Sequence, residues 1–379
     1  MRGAGAIPTA AYIHVPFCRH RCGYCNFTLV ARRDDLIESY IKAIQVELAS
    51  LKHPRTVDSL FFGGGTPTHL SVDQLQRLVT AVREWFPLNH HAEFSVEANP
   101  TDITTEKATV LAELGVTRIS LGVQSFADSK LELLERDHRA DTITRCVQIC
   151  QKHFRSVACD LIFGAPGETR TDWQRDINQL VALQPQHIST YGLTIEKGTS
   201  FWGRHQRNEF ITVDEETDRA MYLDTIDRLA TAGFEHYEIS NFSLPNHRCQ
   251  HNLVYWRGEP YYAAGPGAAS YVNGVRRMNH RSTTTYLNRI LSGQSPVAEV
   301  ETLDDRERAL ERLVFALRMI EGVDRRQFQQ ACGWDIDDLI GHDLTQLAAH
   351  GMLDVSPNRI RLTREGIVVS DAVFAQLLG

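Results

Sequence analysis

Short β-rich runs alternate with amphipathic helical stretches through the first half of this chain, and that alternation leaves few folds open. The runs are Tyr12–Phe17, Val57–Phe62, Ala92–Asn99, Thr117–Ser125, Ser156–Gly164 and Gln186–Ile195, with helical stretches at Asp35–Leu51, Val72–Trp85, Thr105–Leu114 and Asp172–Leu183. Leu36, Ile37, Tyr40, Ile41, Ile44 and Leu48 follow the spacing of a half-buried helix. Strands separated by helices pair in parallel, with right-handed crossovers. Doubly wound sheets and barrels both satisfy this pattern. The unusual residues favour a barrel, because they fall at or after the C-terminal ends of successive strands, where a barrel gathers them around one mouth. Six strands instead of eight leave such a barrel open on one side. The expectation is an α/β fold built on a partial (β/α)6 TIM-like barrel.

Three segments are expected: residues 1–200 as the barrel, 201–300 as an extension, and 301–379 as a small α+β domain. In the last, a charged helix (LDDRERALERLVFALRM) precedes a helix–strand–turn–strand–helix pattern that resembles a winged helix. A formal charge of −7 argues against a broad nucleic-acid footprint. No apolar run approaches the ~20 residues of a membrane span, and the leader MRGAGAIPTA has no long apolar core. The expected compartment is the reducing cytoplasm, where clustered cysteines are metal ligands or catalysts more often than disulfides.

Cys18, Cys22 and Cys25 lie in FCRHRCGYCNF, on the loop after the first strand, with Phe27 where a further cysteine could stand. Three thiolates can hold three corners of an iron–sulfur cube and leave the fourth iron open to a small molecule. If that molecule is S-adenosylmethionine (SAM), one electron can break a C–S bond and release a 5′-deoxyadenosyl radical. Zinc with a remote fourth ligand (His14, His20 or Cys249) and plain reduced thiols are the alternatives. Gly63, Gly64 and Gly65 follow the second strand and let a ligand approach the backbone; the plainer reading is a turn. Glu97, ending the third strand, offers a carboxylate to a ribose or an ammonium, or is a surface residue. Cys146 and Cys150 share one helical face and read as core, as does Cys159 inside a strand.

YIHVPF with CxxxCxxC, then FFGGGTPT, VEANP, RISLGVQSF and DLIFGAPGET, together resemble the radical SAM enzymes related to oxygen-independent coproporphyrinogen III dehydrogenase. The resemblance implies a 4Fe–4S cluster on Cys18, Cys22 and Cys25, and SAM at the cluster near Tyr12, Gly64 and Glu97. It also implies a second SAM neighbourhood at Tyr24, Gly65, Thr66, Gln124, Arg136, Asp160 and Thr194, and a capacity to cleave SAM. The dehydrogenase carries a further cysteine two positions after the third, where this chain has Phe27. YEISNF followed by HNLVYW is similar to the HemW-type branch, regarded as heme chaperones, and implies that His251 associates with heme. Heme, a heme-acceptor protein and an electron donor are then the expected partners. The porphyrin-making dehydrogenase is the second expectation. One departure is GPGAAS, with Ala269 where the family often has histidine.

Overall fold

The computed structural model describes residues 6–379, so the first five residues of the leader lie outside the described residues. Strands β1 (Ala10–Val15), β2 (Val57–Gly64), β3 (Leu88–Ala98), β4 (Arg118–Gln124), β5 (Ser156–Phe163) and β6 (His187–Gly192) pair in parallel, in chain order. Between them run α1 (Ile37–Ala49), α2 (Val72–Trp85), α3 (Thr105–Glu113), α4 (Ala140–His153) and α5 (Arg170–Ala182). This is the expected α/β arrangement, and among the described residues the sheet is not closed by hydrogen bonds. Past β6, helix α6 (Glu215–Thr231) leads to β7 (Glu235–Glu238) and β8 (Asn241–Ser243), which join antiparallel at one edge. Helix α7 (Gln250–Trp256) follows, and β9 (Tyr262–Ala264) pairs in parallel with β1 at the other edge.

Strand alternation sorts side chains onto two faces. Leu60, Phe62, Phe94, Val96, Ile119, Leu121, Val157 and Leu161 are buried in the apolar core, together with helix residues such as Leu75, Leu78, Val147 and Leu180. Cys146, Cys150 and Cys159 lie in this core as well. The intervening residues Ser59, Ser95, Glu97, Arg118, Ser120, Asp160 and Ser189 make the concave face polar. Helix starts are fixed locally: Ser71 and Gln74 bond reciprocally at the head of α2, and Thr169 and Asp172 do so at α5.

A second, three-stranded antiparallel sheet comprises Ala269–Val272, Val275–Asn279 and Val297–Thr302. The C-terminal region carries α8 (Asp305–Leu317), α9 (Arg325–Cys332) and α10 (Ile336–Ala349) beside a three-stranded sheet with Arg359–Leu362 at its centre. Among the described residues, no helix is long and apolar enough to cross a membrane.

Candidate cluster and cofactor site

Strand β1 stops at Val15 because Pro16 has no N–H to continue the ladder. The chain then turns, and Phe17–Cys18 pair with Val30–Ala31, closing the cysteine loop at its base. Within the loop, Cys25 N donates to Cys22 O at 3.0 Å. Arg21 donates to Leu29 O (2.8 Å) and to Cys25 O (3.2 Å). His14 Nε2 lies 2.6 Å from Thr28 O, and its Nδ1 lies 3.1 Å from the Tyr12 hydroxyl. With an N–H donated to the carbonyl, Nδ1 is the acceptor for Tyr12. Burial holds His14 neutral, with its pKa lowered to about 4.

All the predicted cluster and SAM residues except Tyr12 line one cavity of about 620 Å³: Cys18, Cys22, Cys25, Tyr24, Gly64, Gly65, Thr66, Glu97, Gln124, Arg136, Asp160 and Thr194. Tyr12 is not among the lining residues and acts from behind, through His14, on the loop that carries the cysteines. Gln124 reaches the mouth because it sits at φ +65°, at an irregularity in the β4–β5 ladder. Phe27 lines the rim and is 67% exposed.

The electrostatics are those of a site built around charge. Cys18 Sγ is 3.3 Å from Thr66 Oγ1, and Arg136 Nη1 donates to Cys22 Sγ at 3.4 Å. Arg136 is itself oriented by Asn99 Oδ1 (2.5 Å) and Gly122 O (3.0 Å). Burial pushes the Cys18 thiol up to about 12, and it raises Cys25 too. A bare cavity therefore disfavours thiolates, a balance that a bound cation held by these cysteines would reverse. Glu97 accepts from Gly64 N at 2.9 Å, and burial raises its carboxyl to about 7. Asp160, also raised by burial, accepts from Ser120 Oγ at 3.4 Å.

Three free thiols on one braced loop, facing a carboxylate, a guanidinium and bare glycine backbone, fit three corner ligands and an organic cofactor. Among the described residues, no three His, Cys, Asp or Glu side chains converge on a single metal-ion position. A mononuclear zinc site would need such convergence. Of the fourth ligands offered for zinc, His14 has both nitrogens engaged and Cys249 Sγ lies 3.5 Å from Glu93 Oε1, away from this cavity, whereas His20 lines it with Nε2 3.8 Å from Glu135 Oε2.

A model of the radical SAM superfamily matches residues 12–180, and a model of the HemN C-terminal domain matches residues 303–369. The heme chaperone HemW of Bacillus subtilis is 34% identical over 98% of this chain and 99% of that protein. This chain belongs to the HemW branch of the radical SAM superfamily. The heme chaperone HemW of Escherichia coli K12 is 30% identical, over 95% of each chain. A mitochondrial radical S-adenosyl methionine domain-containing protein 1 of Danio rerio is 29% identical, over 98% of this chain and 87% of its own. In fold, the chain is similar to the coproporphyrinogen III oxidase HemN of Escherichia coli. The TM-score is 0.86 at 22% identity, over 98% of this chain and 90% of that one.

His251 is not part of this cavity. It sits on α7, 1% exposed, with Nδ1 2.9 Å from Ser59 Oγ and Nε2 2.8 Å from the Tyr255 hydroxyl. Its ring packs on Phe61 and Tyr12, at centroid distances of 5.1 and 6.3 Å. Burial, with the Arg118 charge behind it, lowers its pKa to about 3. Glu93 anchors the start of α7 by accepting from Gln250 N (3.1 Å) and His251 N (3.3 Å). Ala269 opens the strand Ala269–Val272 opposite Met278 and does not line the cysteine cavity.

Sequence reasoning missed the polar rim of Arg19, Asn99, Asp102, Glu135 and Asp137, all of which line the cavity. Asn99 ends the VEAN run and Asp137 follows Arg136. Proximity to motif residues was thus the available signal.

Proposed function

We propose that this protein is a heme chaperone of the HemW type, which binds heme and passes it to an acceptor protein. The observation that carries the reading is end-to-end kinship with curated heme chaperones at 34% identity, joined to a cluster loop with Phe27 in place of a further cysteine. Cys18, Cys22 and Cys25 would hold a 4Fe–4S cluster, with SAM against Gly64 and Glu97. When bound, cluster and SAM together supply one-electron chemistry at a sulfonium centre.

The chain's own residues have definable tasks there. Gly64 lines the cavity with its backbone, its N–H donated to Glu97 and its Cα packed too close to the His14 ring for a side chain, and Glu97 offers a carboxylate to the polar groups of a nucleoside or amino acid. Arg136 offsets negative charge beside Cys22. Tyr24, packed edge-on against Phe201 at 6.3 Å, forms an aromatic wall. Tyr24, Gly65, Thr66, Gln124, Arg136, Asp160 and Thr194 together would accept a second SAM. His14, fixed by Tyr12, clamps the loop so that the three thiols keep their spacing.

A cytoplasmic location and an external electron donor belong to the same reading. All eight cysteines are unpaired, as a reducing compartment would keep them. The test uses full-length protein reconstituted anaerobically with iron and sulfide. It should show 4Fe–4S absorbance that is lost in Cys22→Ala. It should also develop a Soret band on heme titration and leave coproporphyrinogen III unchanged with SAM and dithionite present. Formation of protoporphyrinogen would favour the porphyrin-making dehydrogenase instead, and zinc without a cluster would overturn both readings.

A further inference from the structure

The end of the cysteine loop has two sides. Cys25, Asn26, Phe27 and Leu29 line the cluster cavity, and two guanidiniums hold the same stretch from outside that lining. Arg21 donates to Cys25 O at 3.2 Å and to Leu29 O at 2.8 Å. Arg281, just ahead of the helix Thr283–Leu291, donates to Asn26 O and to Thr28 Oγ1, both at 3.2 Å. Both arginines are exposed, and neither lines the cavity. Phe27, which lies in the chain between these anchoring points, is 67% exposed. Its N–H donates to the Cys25 sulfur.

Carbonyl and hydroxyl oxygens satisfy the N–H groups of these arginines without cancelling a unit charge. Among the described residues, neither guanidinium is paired with a carboxylate. The acids around the loop are already matched: Asp34 with His69, Asp35 with Arg33, Asp102 with Arg19, and Glu135 with His20 and Arg204. Two uncancelled positive charges therefore flank an exposed aromatic residue, on the loop that carries the three thiols.

We propose that this patch is the docking site of an acidic one-electron carrier protein. The inference rests on the cluster reading above, which needs an electron from outside the chain. The whole chain has a formal charge of −7, so an acidic partner is repelled at long range and requires a local cationic target. An apolar centre with a charged rim suits a brief redox encounter, whose interfaces are small, below roughly 1,200 Å². Docked here, the carrier gives up one electron, which reaches the cluster by way of Phe27 and Cys25; no bond forms or breaks. Position favours a carrier over an anionic membrane, because the patch covers the one loop whose ligands must receive an electron.

The test is reduction of the anaerobically reconstituted full-length protein by reduced flavodoxin, an acidic carrier, read as the EPR signal of the reduced cluster in freeze-quenched samples. The double variant Arg21→Gln/Arg281→Gln should react about tenfold more slowly at low ionic strength. The gap should shrink to about twofold near 1 M salt, where the screening length is about 3 Å. Dithionite, which needs no docking, should reduce wild type and double variant to the same final extent. Phe27→Asp, at an exposed position, should slow flavodoxin in the same way and carries the test if the double variant fails to hold a cluster. No reduction of wild type by flavodoxin, equal rates in wild type and variants, or a deficit that persists at high salt would overturn the docking site and leave the chaperone reading standing. Capture of wild type but not the double variant by phosphatidylglycerol vesicles, with reduction unchanged, would make the patch a membrane contact and overturn it too. Failure of wild type to form a cluster would overturn the reading beneath it as well.

Discussion

Gly64 joins the second strand to the cluster loop, and replacing it with alanine should show how tightly the two are coupled. Its φ of +110° is one that L-residues rarely adopt, which costs about 1–3 kcal/mol for a non-glycine residue. A Cβ there would lie 2.3 Å from His14 Cε1 and 2.5 Å from Nδ1, against the ring itself. The ring cannot swing aside freely, since Thr28 O and the Tyr12 hydroxyl hold its two nitrogens. Relieving the overlap breaks those bonds or shifts the loop, adding about 1–3 kcal/mol. Gly64→Ala should therefore destabilise by about 2–6 kcal/mol in total, read as the shift in a urea denaturation curve followed by tryptophan fluorescence. Gly167→Ala is the control: its φ is +78°, but no atom lies within 4 Å of the new Cβ, so only the backbone strain remains. Adding His14→Ala to Gly64→Ala should recover about 1–2 kcal/mol in a double-mutant cycle. If Gly64→Ala costs no more than the control, or His14→Ala recovers nothing, the clamp argument is wrong.

Two further outcomes follow from buried charge. The Glu97 carboxyl, at about 7 against an ordinary 4.5, takes up a proton in the folded protein that the unfolded chain lacks between those values. Its stabilising contribution is complete below about pH 4.5 and is lost as pH rises through 7; Glu97→Gln should flatten the thermal midpoint across that window. Lys130, 7% exposed, pairs with Glu168 and lies 3.3 Å from Asp176 Oδ2. Lys130→Met leaves two buried carboxylates facing each other and should cost about 3–5 kcal/mol in the same urea assay, partly regained by adding Glu168→Gln.

The parallel strands were legible because their outward residues are apolar and helices of clear periodicity separate them. Boundaries slipped where chemistry cut the pattern. Pro16 ends the first strand before Phe17, and the third strand begins at Leu88, with exposed Asn89, His90 and His91 hiding its start. Strand β9 was invisible, since Tyr262–Ala264 lies in a Gly/Pro-rich stretch and is strand only because β1, far away in the chain, offers an edge. That Cys18, Cys22 and Cys25 share one loop was readable from spacing, while a cluster as what they hold came from the resemblance. Arg136 and Asp160 needed resemblance, because a lone arginine after a short helix and a lone aspartate in a strand carry no local signal. Resemblance gave Tyr12 and His251 a neighbourhood but not a contact. Tyr12 bonds His14 two residues on along the same strand, and His251 on α7 bonds Ser59 on β2, a long-range pairing that a sequence pattern does not encode.

Heme handover tests the proposed function most directly. Anaerobically reconstituted, heme-loaded protein is mixed with a heme-free hemoprotein, and the two Soret bands are followed after rapid separation. A chaperone should transfer its heme, with the donor band falling as the acceptor band rises, and should leave added coproporphyrinogen III intact. Heme that stays with the donor, or conversion of coproporphyrinogen to protoporphyrinogen, would contradict the proposal.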